Sequence, residues 1–486
     1  LPGRCNKENC VIPFLTANRR ARRSLPGGVP VVALAVAAAA AALATPGALS
    51  AQTMLTADEV ARRAVASSAV LAARRADVDA AAAAVTEARV ALFPRLVGSA
   101  RYARLSPITS PTIGNVVVTP EAGDISQQNF PTSVAIRFPV LQDQTVFTAA
   151  ASLPVSDYFL RLPHTTTAAA EQAAAAQASW RAAETRVAGD ARILYYEWAR
   201  ARLQHEVAAS AREQTRAHLT NVKGRRDVGG STNADVLRVE SQLAAAELLA
   251  LRTANLADLL EDQLRTALHD SDRQPYVVGN DLDVAVPAAS AAPDTDAAFQ
   301  RALDRRAELT ALAHASDGER AQGRATRALL LPRLEVSGVL LSANPNPRFF
   351  PQEDRFHTTW EVGASLSFSP NDLATGLAVA RRHRASAAAT EAERQSLAEA
   401  IRAEVMAAAR AQQESAAVLA TTARGLAAAE ESHRVRQALF AEGRATSVEL
   451  TDAETDLVRA RLAAVDARID AGLARVRLQR ATGETP

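Results

Sequence analysis

Few residues of this chain are placed to do chemistry. The eight histidines are scattered, and none shows the H-E-x-x-H spacing that puts two imidazoles on one helical face around zinc. No nucleophile elbow and no glycine-rich phosphate loop occurs. Asp281-Leu282-Asp283 lies among prolines and serines and reads as a turn, not a metal site. Both cysteines, Cys5 and Cys10, fall near the N-terminus, so the remainder carries no disulfide and no thiolate ligand. The carboxylates that stand out are Asp235, Glu449 and Asp452. They follow two glycine turns, Gly229-Gly230-Ser231-Thr232 and Gly443-Arg444-Ala445-Thr446. Glycine permits a tight reversal, and Thr232 or Asn233, and Thr446 or Ser447, can cap a returning helix. Asp235 and Glu449 would then lie in first turns, where negative charge offsets the helix dipole. These residue types predict neither a catalytic site nor a cofactor or metal centre.

The elements that carry the turns are written twice. Ala91-Leu92-Phe93-Pro94-Arg95-Leu96 in the first half matches Leu329-Leu330-Leu331-Pro332-Arg333-Leu334 in the second. Each proline ends a helical stretch, and an extended segment follows. Val134 to Pro139 then matches Val362 to Pro370, and the two glycine turns match each other. At that last offset Glu240 meets Glu454 and Leu243 meets Leu457. Three matches in one order indicate duplication. Between the markers run long stretches without proline, Thr165 to about Arg225 and Asp372 to about Glu442. As helices these would be roughly 90–105 Å long. Return helices follow the turns. In the second, Val458, Leu462, Val465, Ile469, Leu473 and Val476 make one buried stripe. The pattern predicts coiled-coil hairpins with alanine-rich seams.

The predicted strands alternate. Val134, Ile136 and Phe138 point one way, as do Val362, Leu366 and Phe368, with polar or small residues between them. One apolar and one polar face suit a barrel wall between lipid and a water-filled lumen. Four strands cannot enclose a channel, and open edges are not tolerated in lipid. A membrane reading therefore requires copies that pool strands. Ser106–Pro131 and Ala343–His357 read as outward loops, and Asp270–Asp296 joins the halves.

Bulk properties narrow the class. Hydrophobic residues make 48% but aromatics 4%, so alanine dominates and helices are favoured over a bulky core. A net charge of +2 gives no reason to expect a nucleic-acid partner. Arg19, Arg20, Arg22 and Arg23, then the apolar run Val31–Leu43 and small residues near Ser50-Ala51, form an expected export signal. Residues before about Arg19 read as an over-extended start. The expected division is a leader (1–51), a first repeat (52–269), a linker and equatorial region (270–325) and a second repeat (326–486).

In order and content this pattern resembles the TolC-type outer-membrane channels. The resemblance rests on Pro94 and Pro332, on Arg305-Arg306-Ala307-Glu308-Leu309, and on the glycine turns followed by Asp235-Val236-Leu237 and Glu449-Leu450. It implies a mainly helical homotrimer in the outer membrane of a Gram-negative bacterium. Four strands per copy would build a 12-stranded barrel, with long helical hairpins forming a tunnel across the periplasm. It implies a passive duct served by a periplasmic adaptor and by an inner-membrane pump or ABC exporter. By the same resemblance, Asp235, Glu449, Asp452 and Phe440 form a periplasmic gate, the acids repelling one another across the axis with raised pKa. Gly229, Gly230, Ser231, Thr232, Gly443, Arg444 and Thr446 form the adaptor-docking tips. Val134, Ile136, Phe138, Val362, Leu366 and Phe368 face lipid. Ala445 departs from members that carry an arginine tether there. The competing reading is a soluble periplasmic adaptor, but such proteins use one hairpin and β-rich domains, whereas here two hairpins have similar weight.

Overall fold

The computed structural model describes residues 53–107, 112–118, 132–137, 140–271, 274–279 and 294–484. The expected export signal and the linker beyond Gly279 lie outside them. The chain opens with β1 (Thr53–Leu55), α1 (Ala57–Ser67) and α2 (Ala69–Val90). Thr56 and Ser68 cap the two helices, their hydroxyls accepting from the amides of Glu59 and Leu71. Pro94 ends the helical run, and β2 (Arg95–Arg104) begins at once. Then come β3 (Thr112–Val118), β4 (Thr132–Arg137), β5 (Asp143–Leu153), α3 (Val155–Leu160), α4 (Leu162–Asp227) and α5 (Asn233–Leu268). After β6 (Tyr276–Val278) and α6 (Thr295–Arg305), the plan repeats. It runs through α7 (Ala307–Ala328), β7 (Arg333–Asn344), β8 (His357–Ser367), α8 (Asn371–Ala441) and α9 (Ser447–Ala481). Like α2, α7 is 22 residues long and enters a strand through a proline, here Pro332. It belongs with the second repeat, so the expected boundary at 325/326 cuts a helix.

Helix α4 has 66 residues and α8 has 71, so each is about 100 Å long. Much of the buried surface of α4 is alanine. Ala168, Ala175 and Ala178, and again Ala201, Ala208 and Ala211, are buried at intervals of seven and three. Small side chains let the axes approach closely. Each long helix pairs with its return helix, and α4 also packs on α9. Near the middle, the helices are girdled by the largest core. Trp198, Tyr195 and Tyr196 of α4 pack with Leu264, Leu268, Tyr276, Ile469 and Val476, and with Leu55 and Val60 from the N-terminal segment. β1 completes this layer by pairing in parallel with β6. A second cluster sets α6 against α8. The largest core therefore draws on the N-terminal segment and the helical hairpins, with Tyr276 from the expected 270–325 region.

Four strands form one antiparallel sheet in the order β2-β5-β7-β8. The register puts Leu96, Gly98, Ala100 and Tyr102 on one face, beside Ala151, Ala149 and Phe147 of β5. Val336, Gly338 and Leu340 of β7 continue it against Ala364, Val362 and Trp360 of β8. The opposite face is the more polar one: it carries Arg95, Ser99, Arg101, Ser152, Thr148, Glu335, Ser337, Ser365, Glu361 and Thr359, with Val97, Val146, Val339 and Leu341 among them. The apolar face is open to solvent in the single chain, with Trp360 74% and Leu366 71% exposed. No helix among the described residues is long and apolar enough to cross a membrane.

The second strand of this sheet is not the expected one. Val134 and Ile136 lie in β4, which pairs with β3 in a separate two-stranded sheet; Phe138 lies outside the described residues. The place is taken by β5. Its alanines, Ala149, Ala150 and Ala151, fall on both faces and erase the period-two contrast that marks a strand in sequence. Val362 and Leu366 do lie on the apolar face, and Phe368 is exposed just beyond β8.

Candidate functional site

The two hairpin tips share one closing motif and one capping motif. Gly229 and Gly443 end α4 and α8 in the left-handed region, at φ 78° and 77°. At the first tip, Gly230 N donates to Arg225 O at 2.7 Å and Gly229 N to Arg226 O at 3.0 Å. At the second, Arg444 N donates to Leu439 O at 2.9 Å and Gly443 N to Phe440 O at 3.0 Å. Both are six-to-one and five-to-two closures of a helix end, which need a residue without a Cβ penalty at the left-handed position. Three residues later each return helix starts with a capping box. Asp235 N donates to Thr232 Oγ1 (3.2 Å), and Thr232 N donates back to Asp235 Oδ2 (3.0 Å). Glu449 N donates to Thr446 Oγ1 (3.3 Å), and Thr446 N to Glu449 Oε2 (2.9 Å). The reciprocal bonds satisfy amides that a helix start leaves unpaired.

The expected gate residues separate into different roles. Asp235 is held below the usual carboxylate range, first by the Thr232 hydroxyl and then by the Thr232 amide. Glu449 is also lowered, first by the Thr446 amide and then by Arg436, whose Nη1 donates to Glu449 Oε1 at 2.6 Å. Within one chain these shifts run opposite to the rise expected from crowded like charges: the caps stabilise the ionised form. Asp452 is exposed one turn into α9. Phe440 is not an exposed aromatic but a core residue, packed with Leu219, Val222, Val236, Val239, Ala445 and Leu450. Ala445 is buried in the same cluster.

Around Phe440 the structure brings together residues that the sequence did not flag. Arg225 of α4 lies over the Phe440 ring, 4.5 Å from its centroid, and donates from Nη2 to Ala441 O at 3.1 Å. A cation thus satisfies the last carbonyl of α8, where the helix dipole favours it. His218 of α4 meets Phe440 edge-on at 5.4 Å and donates from Nδ1 to Glu454 Oε2 of α9 at 3.0 Å. The His218 side chain is 2% exposed and that of Glu454 13%. Ser447, Thr451 and Glu454 share one face of α9. The Ser447 and Thr451 hydroxyls and His218 Nε2 are among the buried polar atoms with no hydrogen-bond partner within the described residues. The α4–α9 seam near the tips is therefore polar and incompletely satisfied. The sequence signal was an acid inside an apolar stripe: Glu454 is flanked by buried Ala453 and Leu457.

The remaining tip residues lie open. Gly229, Gly230, Thr232, Gly443, Arg444 and Thr446 are exposed, Ser231 is half-buried, and Val228 projects with 82% exposure. A family model described as "outer membrane efflux protein" matches residues 60–268 and 298–484. Among solved structures, the outer-membrane channel OprN is similar at TM-score 0.70 and 19% identity, over 88% of this chain and 89% of that one. The transmembrane channel CusC is similar at TM-score 0.71 and 15% identity, over 89% and 93%. The open-state MtrE outer membrane channel of Neisseria gonorrhoeae is similar at TM-score 0.64 and 16% identity, over 88% of each chain. A comparison with curated protein sequences returned no match.

Proposed function

Because the chain belongs to the outer membrane efflux protein family and is an outer-membrane exit duct rather than a soluble adaptor, we propose that three copies make one channel, gated where the hairpin tips meet. The observation that carries this reading is the four-stranded sheet, apolar on one face and polar on the other, with β2 and β8 at its edges. Unpaired strand edges are unstable in lipid, and three such sheets supply a closed wall in which β8 of one copy pairs with β2 of the next. Val362, Leu366 and Trp360 then face lipid, and Glu335, Ser365 and Glu361 line the lumen. Tyr102 and Trp360 toward one end, and Phe93 and Phe368 toward the other, supply the aromatic girdles of such a wall.

The same assembly covers an apolar stripe on α5. Leu237, Leu248, Leu251 and Leu259 share one helical face and are exposed. A neighbouring copy packed there would close a helical tunnel reaching into the periplasm. At its end, three copies of Asp235, Glu449 and Asp452 would gather around the axis and repel, which favours opening or cation binding. The caps keep Asp235 and Glu449 charged for that role. Opening requires α9 to slide past α4, and the seam that must part is the His218–Glu454 seam. The exposed tip turns are the surface for a periplasmic adaptor, with an inner-membrane pump or ABC exporter supplying the energy. The test is fractionation followed by planar-bilayer recording. A threefold, channel-forming species from the outer membrane supports the reading; a soluble periplasmic monomer without conductance refutes it.

A further inference from the structure

The segment between β7 and β8 does not extend away from the sheet; its first part, residues 345–353, folds back over the polar face. Asn346, 1% exposed, donates from Nδ2 to His357 O at 2.9 Å and to Thr359 Oγ1 at 3.3 Å. Arg348 donates to Trp360 O at 3.0 Å and forms an ion pair with Glu361. The Phe349 ring stacks on the His357 imidazole, centroids 4.0 Å apart and planes 17° from parallel. Glu353 accepts from His357 Nε2 at 3.1 Å. His357, Thr359 and Glu361 alternate with Trp360 and Val362, so the side chains that anchor Asn346, Arg348, Phe349 and Glu353 belong to the polar face; beyond them Asp354 accepts from Asn344 and Phe356 meets Phe147 on the apolar side. Phe350 projects beyond these anchors, 81% exposed.

We propose that residues 345–353 are a strap that narrows the outer mouth of the duct. This rests on the reading above, that the polar face is the lumen. Each copy would contribute one strap, and three would converge with their Arg348, Phe349 and Phe350 side chains at the exit. Pore diameter and lining groups at a constriction decide what passes. The duct then releases small or extended solutes and holds back bulky ones, at a place far from the tip gate.

The experiment uses thiol access from outside intact cells, because the chain has no cysteine beyond Cys10. Ser365→Cys lies on the polar face, four residues and about 13 Å deeper than Glu361 along β8. A small charged thiol reagent and a maleimide on a long polyethylene glycol are compared in the wild-type strap, in Arg348→Ala, and in Arg348→Ala/Phe349→Ala/Phe350→Ala. The small reagent should label Ser365→Cys equally in all three. The bulky reagent should label it at least about tenfold faster in the triple variant. Equal bulky-reagent rates in all backgrounds, whether fast or nil, overturn the strap. Val362→Cys on the apolar face separates the two failures. If the small charged reagent labels Val362→Cys and spares Ser365→Cys, the assignment of faces is wrong and the channel reading fails with it.

Discussion

The seam between α4 and α9 makes the strongest quantitative claim. In this structure His218 and Glu454 are paired out of water, and the proposed gating takes that arrangement as the closed one. Once the helices slide apart, both are solvated and need no partner. Replacing Glu454 with alanine therefore penalises the closed state selectively. It leaves His218 Nδ1 without its acceptor, beside an Nε2 that already lacks a partner within the described residues. Stranding one buried donor costs about 1–3 kcal/mol. Assigned to the closed state alone, that is roughly a 5- to 150-fold shift toward open per protomer. Single-channel recording of the purified channel in planar bilayers reads it as a longer open dwell or a larger mean conductance. His218→Ala should move the same way, and the double variant should add less than the two single effects combined, because both remove one interaction. Unchanged gating in both single variants, with trimers that resist heat as the wild type does, would refute the argument that this seam opens.

Three further outcomes follow from the tips and the core. Glu449→Ala with Asp452→Ala removes the cation-binding carboxylates of the proposed gate and the Arg436–Glu449 pair, and should weaken block by divalent cations and thereby raise single-channel conductance; if both stay the same, the gate assignment of these acids fails. Gly472→Ala places a Cβ about 2.5 Å from the buried Tyr196 ring and should cost about 1–3 kcal/mol by overpacking, read as a lower denaturation midpoint; a wild-type midpoint contradicts the packing. The capping boxes should be acid-labile. Asp235 and Glu449 have depressed folded-state pKa values, so their contribution is complete above the ordinary carboxylate range and disappears as pH falls through the lowered values. Amide hydrogen exchange at Thr232 and Thr446 should show loss of protection beyond the intrinsic pH trend on that descent and none between neutral pH and pH 5; retained protection under strong acid would speak against the caps.

What could be read in the sequence depended on how strongly each element was marked. The hairpins were legible because their helices run for dozens of residues without proline and reverse at glycines. Both glycines prove to hold positive φ. The duplication was legible because Pro94 and Pro332 stand at the same helix-to-strand junction. Strand β5 was not, since its alanines serve both faces and leave no alternation to detect. The gate residues were assigned by resemblance, and the structure divides them. Asp235 and Glu449 are caps in each chain, while Phe440 is a core anchor held by Arg225 and His218. Those two partners lie more than 200 residues from Phe440 in the chain. No local pattern announces such a contact, and only the packing of α4 on the second hairpin creates it.

In one chain the outer strands of the four-stranded sheet, β2 and β8, each have one edge without a neighbour in that sheet, and the proposed channel pairs them between copies. Imaging the channel in a lipid nanodisc by cryo-electron microscopy tests this directly. The expected particle is threefold, with β8 hydrogen-bonded to β2 of the adjacent copy and Val362 and Leu366 turned to lipid. A monomer with its sheet folded on itself, or an oligomer whose sheets remain open at β2 and β8, would contradict it.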